Sequence, residues 1–157
     1  MSFLISHQTQ PTNNTCFSTC MAMLKCIPAA AIIDQIHDWY YSGKVSVREV
    51  LERLEIPFES FDTADLPKFG RDGVYLVAVP SVNQPGWMHQ VLCECFAGQF
   101  IVHDPCHGLR GAMHYVAALT ESAFNEVKFH GYVIDAFIPR SYLLETYAFK
   151  TSAEVAA

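Results

Sequence analysis

Four residues carry side chains suited to covalent chemistry: the thiol of Cys16, the imidazole of His89, the carboxylate of Asp104 and the amide of Gln10. Cys16 lies in Q-P-T-N-N-T-C-F-S-T-C-M-A-M (10–23), where Phe17, Met21, Met23 and Leu24 recur at helical intervals and no Gly or Pro intervenes before Pro28, the pattern of an amphipathic helix. Pro11 to Thr15 are turn and N-cap types, so the thiol is expected at or within one residue of the helix start. Unpaired N–H groups and the positive end of the helix dipole there favour thiolate over thiol. Cys20 is the rival nucleophile; one turn further in, it is expected in the core.

A thiol nucleophile needs a base, and of seven histidines His89 is the best placed, opening the apolar run M-H-Q-V-L after the Pro85-Gly86 turn. His37 and His130 are expected on helix or loop surfaces, and His7 is near the terminus. The imidazole would take the thiol proton and return it to a leaving amine. A third group must accept the other ring N–H. Asp104 is the candidate, because a hairpin through Ala97-Gly98 brings the end of one strand beside the start of the other. Gln10, with the Cys16 backbone N–H, is the candidate oxyanion donor, and Gln8 is its rival.

The elements that must position these groups are legible from periodicity. After the first helix, 28–41 begins with Pro and stops at Ser42-Gly43, and 46–54 opens with a Ser-x-x-Glu capping box; both are expected helices. Beyond Phe58 the period changes. Strands are expected over 58–61, 73–79, 88–96, 99–103 and 131–138, a helical turn over 64–69, and helix-start character over 120–128. The run 73–79 is apolar on both faces, as a central strand should be. Residues 2–7 read as an edge strand. The expected fold class is α+β, a single domain over 1–150 with a flexible tail at 151–157.

Composition sets the outer limits. With 157 residues, 51% of them hydrophobic, the chain can bury one sizeable core. A net charge of −6 with scattered Lys and Arg argues against nucleic acid or an anionic membrane surface as partner. Residues 1–5 are too short for a signal peptide's apolar region and no run approaches a membrane span, so no membrane insertion and a cytoplasmic location are expected. Six cysteines could form three disulfides, yet a chain with this apolar fraction does not need them. Cys93 and Cys95 should share one face of a strand and not bridge each other.

The order Gln10, Cys16, His89, Asp104 resembles that of the papain-like cysteine peptidases. More narrowly, it is similar to the bacterial peptidases that remove double-glycine leaders from bacteriocin precursors, and their stand-alone relatives. The likeness runs from Gln10 to about Pro139. It rests on a glutamine six residues before the cysteine, the small-residue helix S-T-C-M-A-M, a base opening M-H-Q-V-L, V-H-D-P-C-H-G, and E-S-A-F-N-E-V-K-F-H-G-Y-V-I leading into the last strand. It implies a papain-like fold, N-terminal helices packed on a C-terminal antiparallel sheet with the site between them. It also implies a Cys16-His89-Asp104 triad with Gln10 in the oxyanion hole, hydrolysis of a peptide or protein substrate, no cofactor, and a membrane transporter as partner if the substrate is a leader peptide.

Other readings stay open. H-D-P-C-H (103–107) and C-E-C (93–95) offer Cys95, His103 and Cys106 as metal ligands, but neither has the spacing that places two ligands on one ion, so no metal is expected. A module that binds peptide or protein without chemistry, or an acyltransferase using the same triad, would carry the same residues. Phe17, Trp39 and Trp87 are candidates for lining the groove.

Overall fold

The computed structural model describes residues 2–61, 69–121 and 123–155. Three helices come first: α1 (Cys16–Lys25), α2 (Ala29–Tyr41) and α3 (Val47–Arg53). Pro28 caps α2, and Ser46 caps α3 with the full reciprocal box, its side chain accepting from Glu49 N while the Glu49 carboxylate accepts from Ser46 N. α1 ends on Cys26 in the left-handed conformation, with Ile27 N returning to Ala22 O at 3.1 Å. The amphipathic reading of α1 needs correction. Every residue from Cys16 to Leu24 is buried, so this is a central helix enclosed on all sides.

The strands are β1 (Gly73–Pro80), β2 (Met88–Phe96), β3 (Gln99–His103), β4 (His114–Val116), β5 (Glu126–Lys128) and β6 (Val133–Pro139), followed by α4 (Arg140–Val155). β3, β2, β1 and β6 form an antiparallel sheet in that order. The fold is therefore α+β, with α1 packed against β2. β1 is a central strand as expected, and its two faces serve two cores. Val74 and Leu76 join Leu92, Ile138 and the residues of α1, α2 and α3. Tyr75, Val77 and Val79 join Val91, Cys93, Cys95 and Phe137 on the opposite face. All six cysteines are free, and Cys93 and Cys95 do share a face.

Three expectations fail, each for a physical reason. Residues 2–7 form no strand, because the Leu4 and Ile5 N–H groups donate to the buried Glu94 carboxylate instead of a neighbouring backbone. Residues 120–121 and 123–128 are not helical: the Glu126 carboxylate accepts from Thr120 N at 2.7 Å across six residues, closing a loop, and Glu126–Lys128 then pairs in parallel with β4. The stretch 58–61 contributes one bridge, Glu59 with Phe137, rather than a strand. α4 (Arg140–Val155) extends into the stretch 151–155. Tyr147 of α4 donates to Met23 O at 2.7 Å and tethers the helix to α1. The helical turn expected over 64–69 falls almost wholly outside the described residues.

Candidate active site

The site forms where the tip of α1 meets the start of β2. Cys16 is the first residue of α1, and its sulfur receives the backbone N–H groups of Gln90 and Phe17. Burial pushes its thiol up, but a hydrogen bond and the charge of His89 more than offset this, together with those two N–H groups, and the pKa falls below the ordinary thiol value. The Tyr41 hydroxyl, at the end of α2, also reaches the Cys16 sulfur, and its own pKa is raised by burial and then by that sulfur.

His89 is the second residue of β2 and only 7% exposed. Its Nε2 stands 2.6 Å from Asp104 Oδ1. Burial alone would lower its pKa, yet Asp104, Cys106 and Cys16 together push it up to about 12. A lowered thiol beside a raised imidazole describes a thiolate–imidazolium pair.

The β2–β3 hairpin brings Asp104 to this ring. Ala97 and Gly98 both take positive φ, 51° and 76°, the geometry of a tight two-residue hairpin turn. The ladder then runs to Leu92 opposite His103, so the next residue of the chain falls near His89. Asp104 is 1% exposed and fixed at both oxygens: Oδ1 accepts from Cys106 N at 2.8 Å and Oδ2 from Tyr115 N at 2.7 Å. A carboxylate so held keeps its orientation when the ring beside it changes protonation.

Gln10 arrives through a backbone stitch. Its N–H donates to Pro105 O at 2.8 Å, and the Thr9 hydroxyl donates to His107 O at 2.7 Å. Gly108, with φ +90°, permits this approach; a Cβ there would stand 2.6 Å from Thr9 Oγ1. The Gln10 side chain is buried beside the cleft, and its Oε1 has no hydrogen-bond partner among the described residues. Buried polar atoms are ordinarily satisfied, so an orphan acceptor at a cleft points to a hydrogen-bond donor on a ligand. Gln8, the rival, is committed elsewhere: Nε2 donates to Ile27 O and Oε1 accepts from Ala29 N, clamping the α1–α2 turn.

An open cleft of about 840 Å³ joins these groups, with Gln10, Cys16, Tyr41, Trp87, His89 and Cys106 on its wall. Among the expected aromatics, only Trp87 faces it, 67% exposed. Phe17 is in the core, stacked on Tyr40 at 3.8 Å between ring centroids, and Trp39 packs against the same core under Arg53.

No family model, curated protein or solved structure matches the chain. What can be said of the site therefore comes from its own geometry.

The four candidate residues come together. Cys20 does not join them: fully buried, it donates to Gln90 O at 3.4 Å, and burial raises its thiol pKa well above the usual range. Of the metal-ligand candidates, Cys95 lies in the core on the far face of the sheet and His103 pairs with Glu94 at 3.0 Å. Cys106 alone reaches the site, in hydrogen-bond contact with His89. Sequence reasoning missed Tyr41, which lies off the apolar stripe of its helix and carries no spacing signal, and Asn83, which stands just before the Pro85-Gly86 turn. Asn83 donates to Cys106 Sγ at 3.5 Å and to Met113 O at 2.8 Å.

Proposed function

We propose that this protein is a papain-like cysteine peptidase acting on a peptide or protein substrate. The observation that carries the reading is the meeting of Cys16, His89 and Asp104 at one cleft, with thiol and imidazole displaced in opposite directions from their ordinary pKa values. Two structural cysteine–histidine neighbours in a core would not require an open cleft or a fixed carboxylate behind the ring.

The chemistry follows from the charges. The Cys16 thiolate attacks the carbonyl carbon of the scissile peptide, forming a carbon–sulfur bond and placing negative charge on the carbonyl oxygen. The Gln10 amide and the Cys16 backbone N–H receive that oxyanion, each such donor being worth about 3 kcal/mol in the transition state. His89 then gives its proton to the amide nitrogen as the carbon–nitrogen bond breaks, and the amine leaves. Asp104 accepts from Nε2 throughout, keeping the ring aimed and its charge compensated. Next, the neutral ring takes a proton from water, hydroxide attacks the thioester, and Cys16 departs as thiolate.

The test is labelling with electrophilic peptide probes, the modified residue being located by mass spectrometry. Label on Cys16 in the wild type and in Cys20→Ala, and none in Cys16→Ala, is expected. Labelling that persists without Cys16 rejects the nucleophile. Probe-reactive Cys16 with no cleavage of any peptide or protein substrate would favour a binding module or an acyltransferase.

A further inference from the structure

Cys106 has no part in the peptidase chemistry above, yet its sulfur stands against the same imidazole. A ring nitrogen of His89, a carboxylate oxygen of Asp104 and Cys106 Sγ all lie within 4.8 Å of one another. We propose that these three side chains form a zinc site which, when filled, takes His89 out of the chemistry at Cys16. The metal binding itself does not depend on the peptidase reading; the inhibitory consequence rests on it.

The donor set selects the ion. One thiolate, one imidazole and one carboxylate suit Zn²⁺, whereas Mg²⁺ and Ca²⁺ take oxygen ligands. All three residues are at least nine-tenths buried, at 7%, 1% and 5% exposed, so the ligands are held before the ion arrives. His89 and Cys106 also line the cleft, which leaves a fourth position facing it for water or for a substrate group. Three protein ligands and one open position is a common zinc arrangement.

The surroundings hold the ligands in place. Asn83 directs its Nδ2 at Cys106 Sγ, and Asn83 is itself fixed to the Met113 backbone by two hydrogen bonds of 2.8 Å. Asp104 is fixed by the N–H groups of Cys106 and Tyr115. Outer partners of this kind orient metal ligands. The present His89–Asp104 separation is 2.6 Å. Two zinc bonds of about 2.0 Å at a tetrahedral angle put their ligand atoms about 3.3 Å apart, so the His89–Asp104 pair must open by less than an ångström while Cys106 Sγ, within 4.8 Å of both, closes on the ion.

The protons balance. Zinc replaces the proton between Nε2 and the carboxylate and the proton on the Cys106 thiol, and both go to solvent. The other ring nitrogen keeps its hydrogen and has no lone pair left to accept another. The ring can then no longer cycle a proton with Cys16.

Zinc alone, titrated into the full-length protein in competition with a chromogenic chelator, tests this. One Zn²⁺ per chain is expected for the wild type and for Cys16→Ala, with affinity reduced at least about 100-fold in Cys106→Ser, the upper end for loss of even an outer-shell partner. Cobalt(II) in the wild type should give a thiolate-to-metal charge-transfer band that survives Cys16→Ala, a readout independent of how the serine variant folds. No stoichiometric metal, or equal affinity in well-folded Cys106→Ser, overturns the site. Loss of binding in Cys16→Ala would put the metal on the wrong thiol and overturns it too. Zinc that binds but leaves Cys16 alkylation unslowed removes the inhibitory step, while a metal-free protein with an unreactive Cys16 would fail the peptidase reading and leave the zinc result standing.

Discussion

At the scale of single residues, the site is a set of buried polar groups of which one lacks a partner. Cys16 receives two backbone N–H groups, Asp104 two backbone N–H groups and the His89 ring, while Gln10 Oε1 accepts nothing among the described residues. An unsatisfied buried acceptor is costly, by about 1–3 kcal/mol; in the proposed peptidase it is the Nε2 donors of the same amide, not this oxygen, that meet the oxyanion of the transition state. Gln10→Ala should therefore lower kcat by about 10²–10³-fold with little change in KM, measured by steady-state cleavage of any peptide substrate found. An unchanged kcat would leave Gln10 as packing. The thiol at Cys20 provides the contrast: same helix, one turn deeper, no imidazole, and a pKa moved upward by burial.

At the scale of elements, three devices bring the four side chains to one place: the N-terminus of α1, the β2–β3 hairpin, and the stitch of residues 9–10 to 105–108. A fourth device anchors the chain upstream of Gln10. Glu94, fully buried on β2, accepts from Leu4 N, Ile5 N and His103 Nε2. Burial alone would raise its pKa, but His103 and the two N–H groups hold it below the ordinary glutamate value of 4.5. A lowered folded pKa contributes stability that is complete above the unfolded value and is lost as pH falls through the folded one. Glu94→Gln should thus destabilise by about 3 kcal/mol at neutral pH, as expected when one partner is removed from a buried charge pair, here the carboxylate facing the Arg140 guanidinium at 3.8 Å. In urea unfolding the gap between wild type and variant should close as pH falls below the ordinary glutamate value of 4.5. A gap that stays constant into acid would rule out the carboxylate as its source.

Much of this scaffolding could be read in the sequence because its signals are local. The capping box at Ser46, the Ala97-Gly98 turn and the doubly apolar run of β1 each declare themselves within a few residues, and the meeting of His89 with Asp104 follows once the hairpin is drawn. What could not be read depends on distant partners. The strand-like start at 2–7 loses its ladder to a carboxylate some ninety residues away. β4 and β5 are three residues each and meet in parallel, too short for any periodicity. α4 did offer a signal, Leu143 and Tyr147 four apart, and both turn toward the α1 core.

At the scale of the molecule, α1 is wrapped on every side while its first residue reaches the open cleft. Rigid surroundings are what a short-range ion pair needs, since an ångström of slack would release the thiol to its ordinary state. Among the described residues no helix is long and apolar enough to cross a membrane. Trp87 and Met88, 67% and 59% exposed at the cleft, give its mouth an apolar lip. The whole arrangement serves one charge separation, between Cys16 and His89. Its most direct measurement is the ultraviolet thiolate absorbance of wild type minus Cys16→Ala, followed against pH and repeated on a His89→Ala background. The account predicts that Cys16 is already ionised at pH 7 and titrates on the acid side of the ordinary thiol range, and that without His89 its transition moves to or above that range. A Cys16 that titrates like a free thiol in the wild type, or that stays ionised at pH 7 when His89 is gone, would contradict it.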